Sequence, residues 1–234
     1  MNLIPQAVER AGMRLLVPLV NLLLRLRVRP NTITTAGTLL VVASAAAFAV
    51  GRAHWGGVLL LVSGIFDLLD GRVARDGGAR TTFGAFYDST LDRVGESALF
   101  TGIALYFPQG GVAHDRITLA VVVSCIALGA SLIVSYTRAR AEGLGLECNV
   151  GIMRRAERIL LLGAPTMFFG AGTHGMLLFW IVVVLAATTV ITVIQRMVHV
   201  ARLAPGSGVV RAVRPPPRDT LAGRAPALQA RKGH

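Results

Sequence analysis

The chain is built of long apolar blocks separated by short polar breaks, without the two-residue or 3.6-residue alternation of half-buried strands and helices. Several blocks reach the roughly 20 residues that a helix needs to cross a hydrocarbon core. They predict six spans, at residues 32–50, 55–78, 84–107, 116–142, 155–171 and 175–202. Ahead of them, Arg10, Arg14, Asn21 and Arg25 project into an arc of about 60° at roughly 100° per residue, and Leu and Val fill most of the remainder. That segment reads as an amphipathic helix lying in the membrane interface with its arginines at phosphate level. The apolar stretch at 13–26 is interrupted by Arg14 and lacks a small-residue cleavage site, so it reads as mature structure and not as a signal-peptide core. Arg29-Pro30-Asn31 should break this helix, with Asn31 capping the first span.

The expected fold is an all-α integral membrane protein, six transmembrane helices preceded by an N-terminal interfacial helix. Residues 1–202 form the membrane domain, with 1–30 the interfacial helix and linker and 31–202 the six-helix bundle. Residues 203–234, which include Pro215-Pro216-Pro217, read as a basic, disordered Pro/Gly-rich tail.

Composition agrees with this pattern. With 53% hydrophobic and 15% charged residues and a mean hydropathy of +0.62, the chain lies outside the soluble range. A formal charge of +12 invites a nucleic-acid reading, but no RNA- or DNA-binding module is visible. The distribution of charge is more telling. Of the 24 Lys and Arg residues, the loops after the first, third and fifth spans hold only Arg52 and Arg116. The positive-inside tendency then sets both termini in the cytoplasm, with the polar loops and their site on the same face of a plasma membrane. Cys125 and Cys148 have no metal or redox spacing and read as free thiols.

Chemistry concentrates in Asp67-Leu68-Leu69-Asp70-Gly71-Arg72-Val73-Ala74-Arg75 and in Gly84-Ala85-Phe86-Tyr87-Asp88-Ser89-Thr90-Leu91-Asp92-Arg93. Asp67 and Asp70 share one helix face and Asp88 and Asp92 another, so the two faces can converge. A mid-bilayer aspartate costs roughly 2.5–3.5 kcal/mol, so four of them need solvation, counterions or placement near the membrane surface, and metal would satisfy all four. Oxygen-only donors without nearby His or Cys favour Mg²⁺ or Mn²⁺ over zinc, and two ions about 4 Å apart could clamp a pyrophosphate. The plainer reading pairs these aspartates with Arg72, Arg75, Arg80 and Arg93, but it leaves Gly71 and Gly84 unexplained, where missing side chains make room for a bulky anion.

These residues match the signature D-x-x-D-G-x-x-A-R, a short gap, then G-x-x-x-D-x-x-x-D, and the chain resembles the CDP-alcohol phosphotransferase family over residues 1 to 202. The resemblance implies that Asp67, Asp70, Asp88 and Asp92 hold two Mg²⁺ or Mn²⁺ ions, with Asp92 also the base on the acceptor hydroxyl. It further implies that Asn31, Thr32, Ile33, Thr34, Gly71, Ala74, Arg75, Thr81 and Gly84 hold the CDP-lipid, and that the protein is a homodimer. Thr81 also suits a helix cap, and Arg75 a snorkelling membrane-edge arginine. Glu96 continues the Asp88 and Asp92 face beyond the signature and reads as a partner of Arg93 or another arginine.

The wording Asp88-Ser-Thr-Leu-Asp92-Arg93 resembles the inositol-phosphate branch of the family, whereas glycerol-phosphate enzymes commonly show D-P-x-x-D-K. Ser135 to Glu142, Glu157-Arg158 and Gln195-Arg196 resemble the same branch, which implies that Arg138, Arg158 and Arg196 hold the acceptor's phosphate. The position of Arg138 is usually Lys there, and Arg154-Arg155-Ala156 stands where those relatives carry a Glu and a Pro. An inside-facing topogenic loop is the other reading of these cations. The expected activity is phosphatidyl transfer from CDP-diacylglycerol to inositol phosphate with release of CMP. Glycerol 3-phosphate is the alternative acceptor. A divalent-cation transporter would also bury carboxylates, but Arg72, Arg75, Arg138 and Arg158 would repel a permeating cation.

Overall fold

The computed structural model describes the backbone of residues 6–153 and 155–203, and side chains from residue 16 onward. Seven α-helices occupy the described residues: α1 (Gln6–Arg25), α2 (Pro30–Ala49), α3 (Ala53–Asp76), α4 (Thr82–Tyr106), α5 (Ile117–Gly143), α6 (Arg155–Phe169) and α7 (Met176–Leu203). Among these residues there is no strand. Helices α2 to α7 coincide with the six predicted blocks to within a few residues. The proposed tail, from residue 204 onward, lies outside the described residues.

Among the described residues, three segments are long and apolar enough to cross a membrane: Pro30–Ala49, His114–Gly143 and Thr173–Leu203. Helices α3 and α4 fall short because they carry the aspartates and arginines of the signature, and α6 because it has only 15 residues. The exterior is apolar all the same. Leu39, Trp55, Phe83, Phe86, Phe168, Phe169, Trp180 and Met197 are all exposed, a surface suited to lipid and costly in water.

The α1–α2 junction departs from expectation. Arg27 takes a left-handed conformation, φ 53°. Its N–H donates to Leu24 O at 3.1 Å and that of Val28 to Leu23 O at 3.1 Å, closing α1 as a left-handed C-terminal cap does. Helix α1 therefore ends before Pro30, which instead opens α2 with its fixed φ and missing N–H. Asn31 is not the cap: the cap position is Arg29, with no side-chain hydrogen bond, and Asn31 lies inside the first turn. Val20 of α1 packs with Ile33, Leu69 and Val73, so α1 is tied to the bundle through α2 and α3.

Helix α2 packs against α3 and α4, α3 against α6, α5 against α7, and α4 joins the two groups through α5. The core centres on Phe48, Leu60, Ile103, Phe107, Leu162, Leu178 and Leu185, all almost fully buried. Close helix contacts depend on glycine. A Cβ on Gly102 would run into the Ala45 carbonyl of α2, and one on Gly57 would come within 2.5 Å of Thr166 Oγ1 on α6. Small residues at such crossings are how helices gain dispersion contact where lipid offers no hydrophobic drive. Cys125 is exposed and Cys148 buried, both free thiols.

Candidate active site

The signature residues gather where α2 and α4 begin and α3 ends. Asp70 is buried at 7% exposure, with Thr34 facing its carboxylate, and its Oδ2 has no hydrogen-bond partner. Asp67 is partly open, beside the tight crossing where a Cβ on Gly37 would come within 3.0 Å of Phe66 Cβ and 3.9 Å of Asp67 Oδ1. On α4, the Tyr87 hydroxyl lies 3.0 Å from Thr35 Oγ1, tying the helix to α2 one residue before Asp88. Asp92 follows one turn later, with Arg93 Nη1 at 3.9 Å.

The residues expected to hold the CDP-lipid lie at the same end. Thr81 is the N-cap of α4, its Oγ1 accepting from Gly84 N at 2.9 Å, so its capping role is evident in the geometry. A Cβ on Gly84 would sit 3.0 Å from that Oγ1 and 3.4 Å from Asn31 Oδ1, so the bare glycine lets the starts of α2 and α4 face each other closely. Gly71 lies under the Arg75 guanidinium, whose Nη1 would be in ordinary contact, at 3.6 Å, with an added Cβ. Arg75 and Thr32 are exposed. Ile33 is 4% exposed and packs in the α1–α2–α3 cluster, so its side chain is a core element, unavailable to a ligand.

Of the four arginines anticipated from the neighbouring sequence only Arg93 pairs with a signature aspartate, Asp92, and the closer contacts come from an arginine outside the four. Arg155, at the start of α6, places Nε 3.2 Å from Asp67 Oδ2, and its Nη1 meets Asp92 Oδ1. Arg72 pairs with Asp76 at 2.7 Å instead. In the sequence Arg155 reads as part of a departure from relatives and of an inside-facing basic loop, with no link to the aspartates. Its position at the first turn of a helix that packs on α3 is what brings it to the carboxylates.

Beside Asp92 opens a cavity of about 1410 Å³ whose walls include Arg138, Arg158 and Arg196, together with Arg93, Arg155 and the 149–153 loop. Arg138 is exposed and pairs with Glu142 at 2.8 Å. Arg158 is held by Glu96 at 2.6 Å and by Ser131 at 2.5 Å, which identifies the arginine partner expected for Glu96. Arg196 donates from Nε to Val150 O at 3.0 Å and from Nη1 to Val134 O. A guanidinium has five N–H donors, so each of these side chains keeps donors for an anion.

The donor set fits a hard divalent cation: four carboxylates on two facing helices, one buried oxygen without a partner, and no imidazole or thiolate among them. Among the described residues, no three carboxylate, imidazole or thiol side chains already converge on one point. Arg155 occupies the space between Asp67 and Asp92.

Comparison with known proteins agrees with this geometry. The sequence profile of CDP-alcohol phosphatidyltransferase matches residues 27–191. The chain is 38% identical over 191 residues to the phosphatidylinositol phosphate synthase of Mycobacteroides abscessus, covering 81% of this chain and 84% of that one. It is 40% identical over 176 residues to the archaetidylinositol phosphate synthase of Methanothermobacter thermautotrophicus, covering 75% and 85%. The crystal structure of Mycobacterium tuberculosis phosphatidylinositol phosphate synthase with CDP-DAG bound superposes with a TM-score of 0.70 at 33% identity, over 82% of this chain and 96% of that one. The same enzyme has also been solved in complex with manganese and citrate. The chain belongs to the CDP-alcohol phosphatidyltransferase family, and is a membrane enzyme of phospholipid synthesis.

Proposed function

We propose that this enzyme transfers the phosphatidyl group of CDP-diacylglycerol to a hydroxyl of inositol phosphate, releasing CMP and forming phosphatidylinositol phosphate. The observation that carries the acceptor is the wall shared by Arg138, Arg158 and Arg196 in one cavity that also reaches Asp92. Three cations around one space suit a phosphate monoester that must present a hydroxyl toward a base. The names of the relatives support the same choice.

Asp67, Asp70, Asp88 and Asp92 are the groups that would hold Mg²⁺ or Mn²⁺, as two ions. Bound there, the metal would screen the pyrophosphate and stabilise charge developing on its oxygens. Asn31, Thr34, Gly71, Ala74, Arg75, Thr81 and Gly84 would hold the CDP portion, and Thr32 and Ile33 would contribute through the backbone. Asp92 takes the proton of the acceptor hydroxyl as its oxygen bonds to the lipid-side phosphorus. The bond from that phosphorus to the CMP oxygen breaks, and CMP leaves with the electron pair. Arg138, Arg158 and Arg196 orient the acceptor through its phosphate and leave its hydroxyl free.

The same reading extends to the setting. All six helices α2 to α7 cross the plasma membrane, α1 lies in the interface, and both termini and the site face the cytoplasm, as the bias of Lys and Arg supports. The functional unit is residues 1–202 in a homodimer, with 203–234 a separate tail.

The test is CMP release by lipid-reconstituted protein with CDP-diacylglycerol and Mg²⁺, comparing inositol phosphate with glycerol 3-phosphate, and with Asp92→Asn as control. Selective release with inositol phosphate is expected. Release with glycerol 3-phosphate alone would keep the transfer chemistry and overturn the acceptor.

A further inference from the structure

Glu96 lies one turn beyond Asp92 on α4, past the last aspartate of the signature. Its Oε1 accepts from Arg158 Nη2 at 2.6 Å, while Nη1 of the same guanidinium donates to Ser131 Oγ on α5 at 2.5 Å. Arg158 itself comes from α6, so three helices meet at one guanidinium. The Glu96 and Arg158 side chains are each only 11% exposed, and both line the cavity beside Asp92.

The manner of the contact is informative. A pair built for stability alone is best made as a fork, two parallel N–H bonds to two carboxylate oxygens, because a buried ion pair otherwise fails to recover its desolvation cost. Here Glu96 Oε2 is buried without a hydrogen-bond partner. Arg158 is gripped by one oxygen from α4 and one hydroxyl from α5, on different nitrogens, and the rest of its donors stay unspent. Two anchors on different nitrogens, one from α4 and one from α5, hold the guanidinium in place and leave it able to engage a second anion.

We infer that Glu96, assisted by Ser131, is a positioning residue that aims the Arg158 guanidinium at the acceptor's phosphate and thereby sets acceptor affinity. This inference rests on the proposed acceptor site. A long, otherwise mobile side chain held in its binding rotamer before the ligand arrives loses less entropy on binding. Glu96 touches no reacting atom, so its effect falls on the acceptor and leaves the chemistry and the CDP-lipid unchanged.

The experiment compares Glu96→Gln, Glu96→Asp, Ser131→Ala, Arg158→Gln and Glu96→Gln/Arg158→Gln in lipid-reconstituted protein. It measures KM for inositol phosphate and for CDP-diacylglycerol, kcat, and thermal unfolding. Glu96→Gln should raise the acceptor KM about tenfold, the lower end of what a hydrogen bond between charged groups is worth, with the CDP-lipid KM and kcat unchanged. Glu96→Asp should recover part of that loss. Ser131→Ala should shift the acceptor KM the same way by less, and it uncovers no charge should Glu96→Gln fail to fold. In the Arg158→Gln background, Glu96→Gln should have no further effect on the acceptor KM. A raised acceptor KM in Arg158→Gln alone, with none in Glu96→Gln or Ser131→Ala, would overturn the positioning role and leave the acceptor site standing. An unchanged acceptor KM in Arg158→Gln would overturn both.

Discussion

Nε of Arg155 lies 3.2 Å from Oδ2 of Asp67, and the same guanidinium also meets Asp92 across the groove between α3 and α4. A cation from α6 thus bridges two of the carboxylates assigned to metal. Like charges repel at this range, and a divalent ion cannot share both carboxylates with an undisplaced guanidinium. Arg155→Gln should therefore tighten Mn²⁺ binding roughly tenfold, read by electron paramagnetic resonance of free Mn²⁺ in titrations of detergent-solubilised protein. Weaker binding in the variant would mean that Arg155 props the carboxylates open for the ion and does not compete with it.

Asp92 is assigned both to metal and to the proton. Asp92→Asn should lower CMP release by about 10² to 10⁴, as loss of a positioned base does, while CDP-diacylglycerol still binds. Chelation with EDTA should abolish release in the parent enzyme, and added Mg²⁺ or Mn²⁺ should restore it. Full activity in EDTA-treated protein would remove the metal from the mechanism.

Arg196 contributes to the cavity wall while holding the carbonyls of Val150 and Val134. Arg196→Gln should raise the acceptor KM more than the CDP-lipid KM, measured from the same CMP-release assay. An equal loss for both substrates would show that its main task is to hold the 149–153 loop against α5.

The contact of Gly102 with Ala45 packs α4 on α2 at the ends of the two helices away from the site. Gly102→Ala puts a methyl into the Ala45 carbonyl. It should cost about 1–3 kcal/mol, the usual range for overpacking, and appear as a lower thermal midpoint in detergent. An unchanged midpoint would show that α2 and α4 can slide apart there without loss.

The helices and the aspartates could be read in the sequence because each leaves a local mark. Apolar blocks are continuous in the chain, and Asp67, Asp70, Asp88 and Asp92 stand at fixed helical spacings next to glycines. The turn at Arg27 left no such mark, since left-handed caps are usually announced by Gly or Asn, and Asn31 looked like a cap whereas Arg29 holds that position without a side-chain hydrogen bond and Pro30 opens the helix. Arg155 was hidden for a different reason. Its partners lie 88 and 63 positions earlier, and only the packing of α6 on α3 decides that it reaches them. Glu96 could be recognised as an arginine's partner, but which arginine depended on how α4, α5 and α6 meet.

Helix α6 is the shortest of those in the bundle, 15 residues starting at Arg155. At 1.5 Å per residue it rises roughly 22 Å, less than the roughly 30 Å of a hydrocarbon core. In the proposed six-span arrangement, with its far end at the opposite headgroup level, the arginines of its first turn would lie several ångströms below the near one. On the proposed function, a phosphorylated acceptor in water and a lipid fixed in its leaflet would meet at that depth, each still in its own phase.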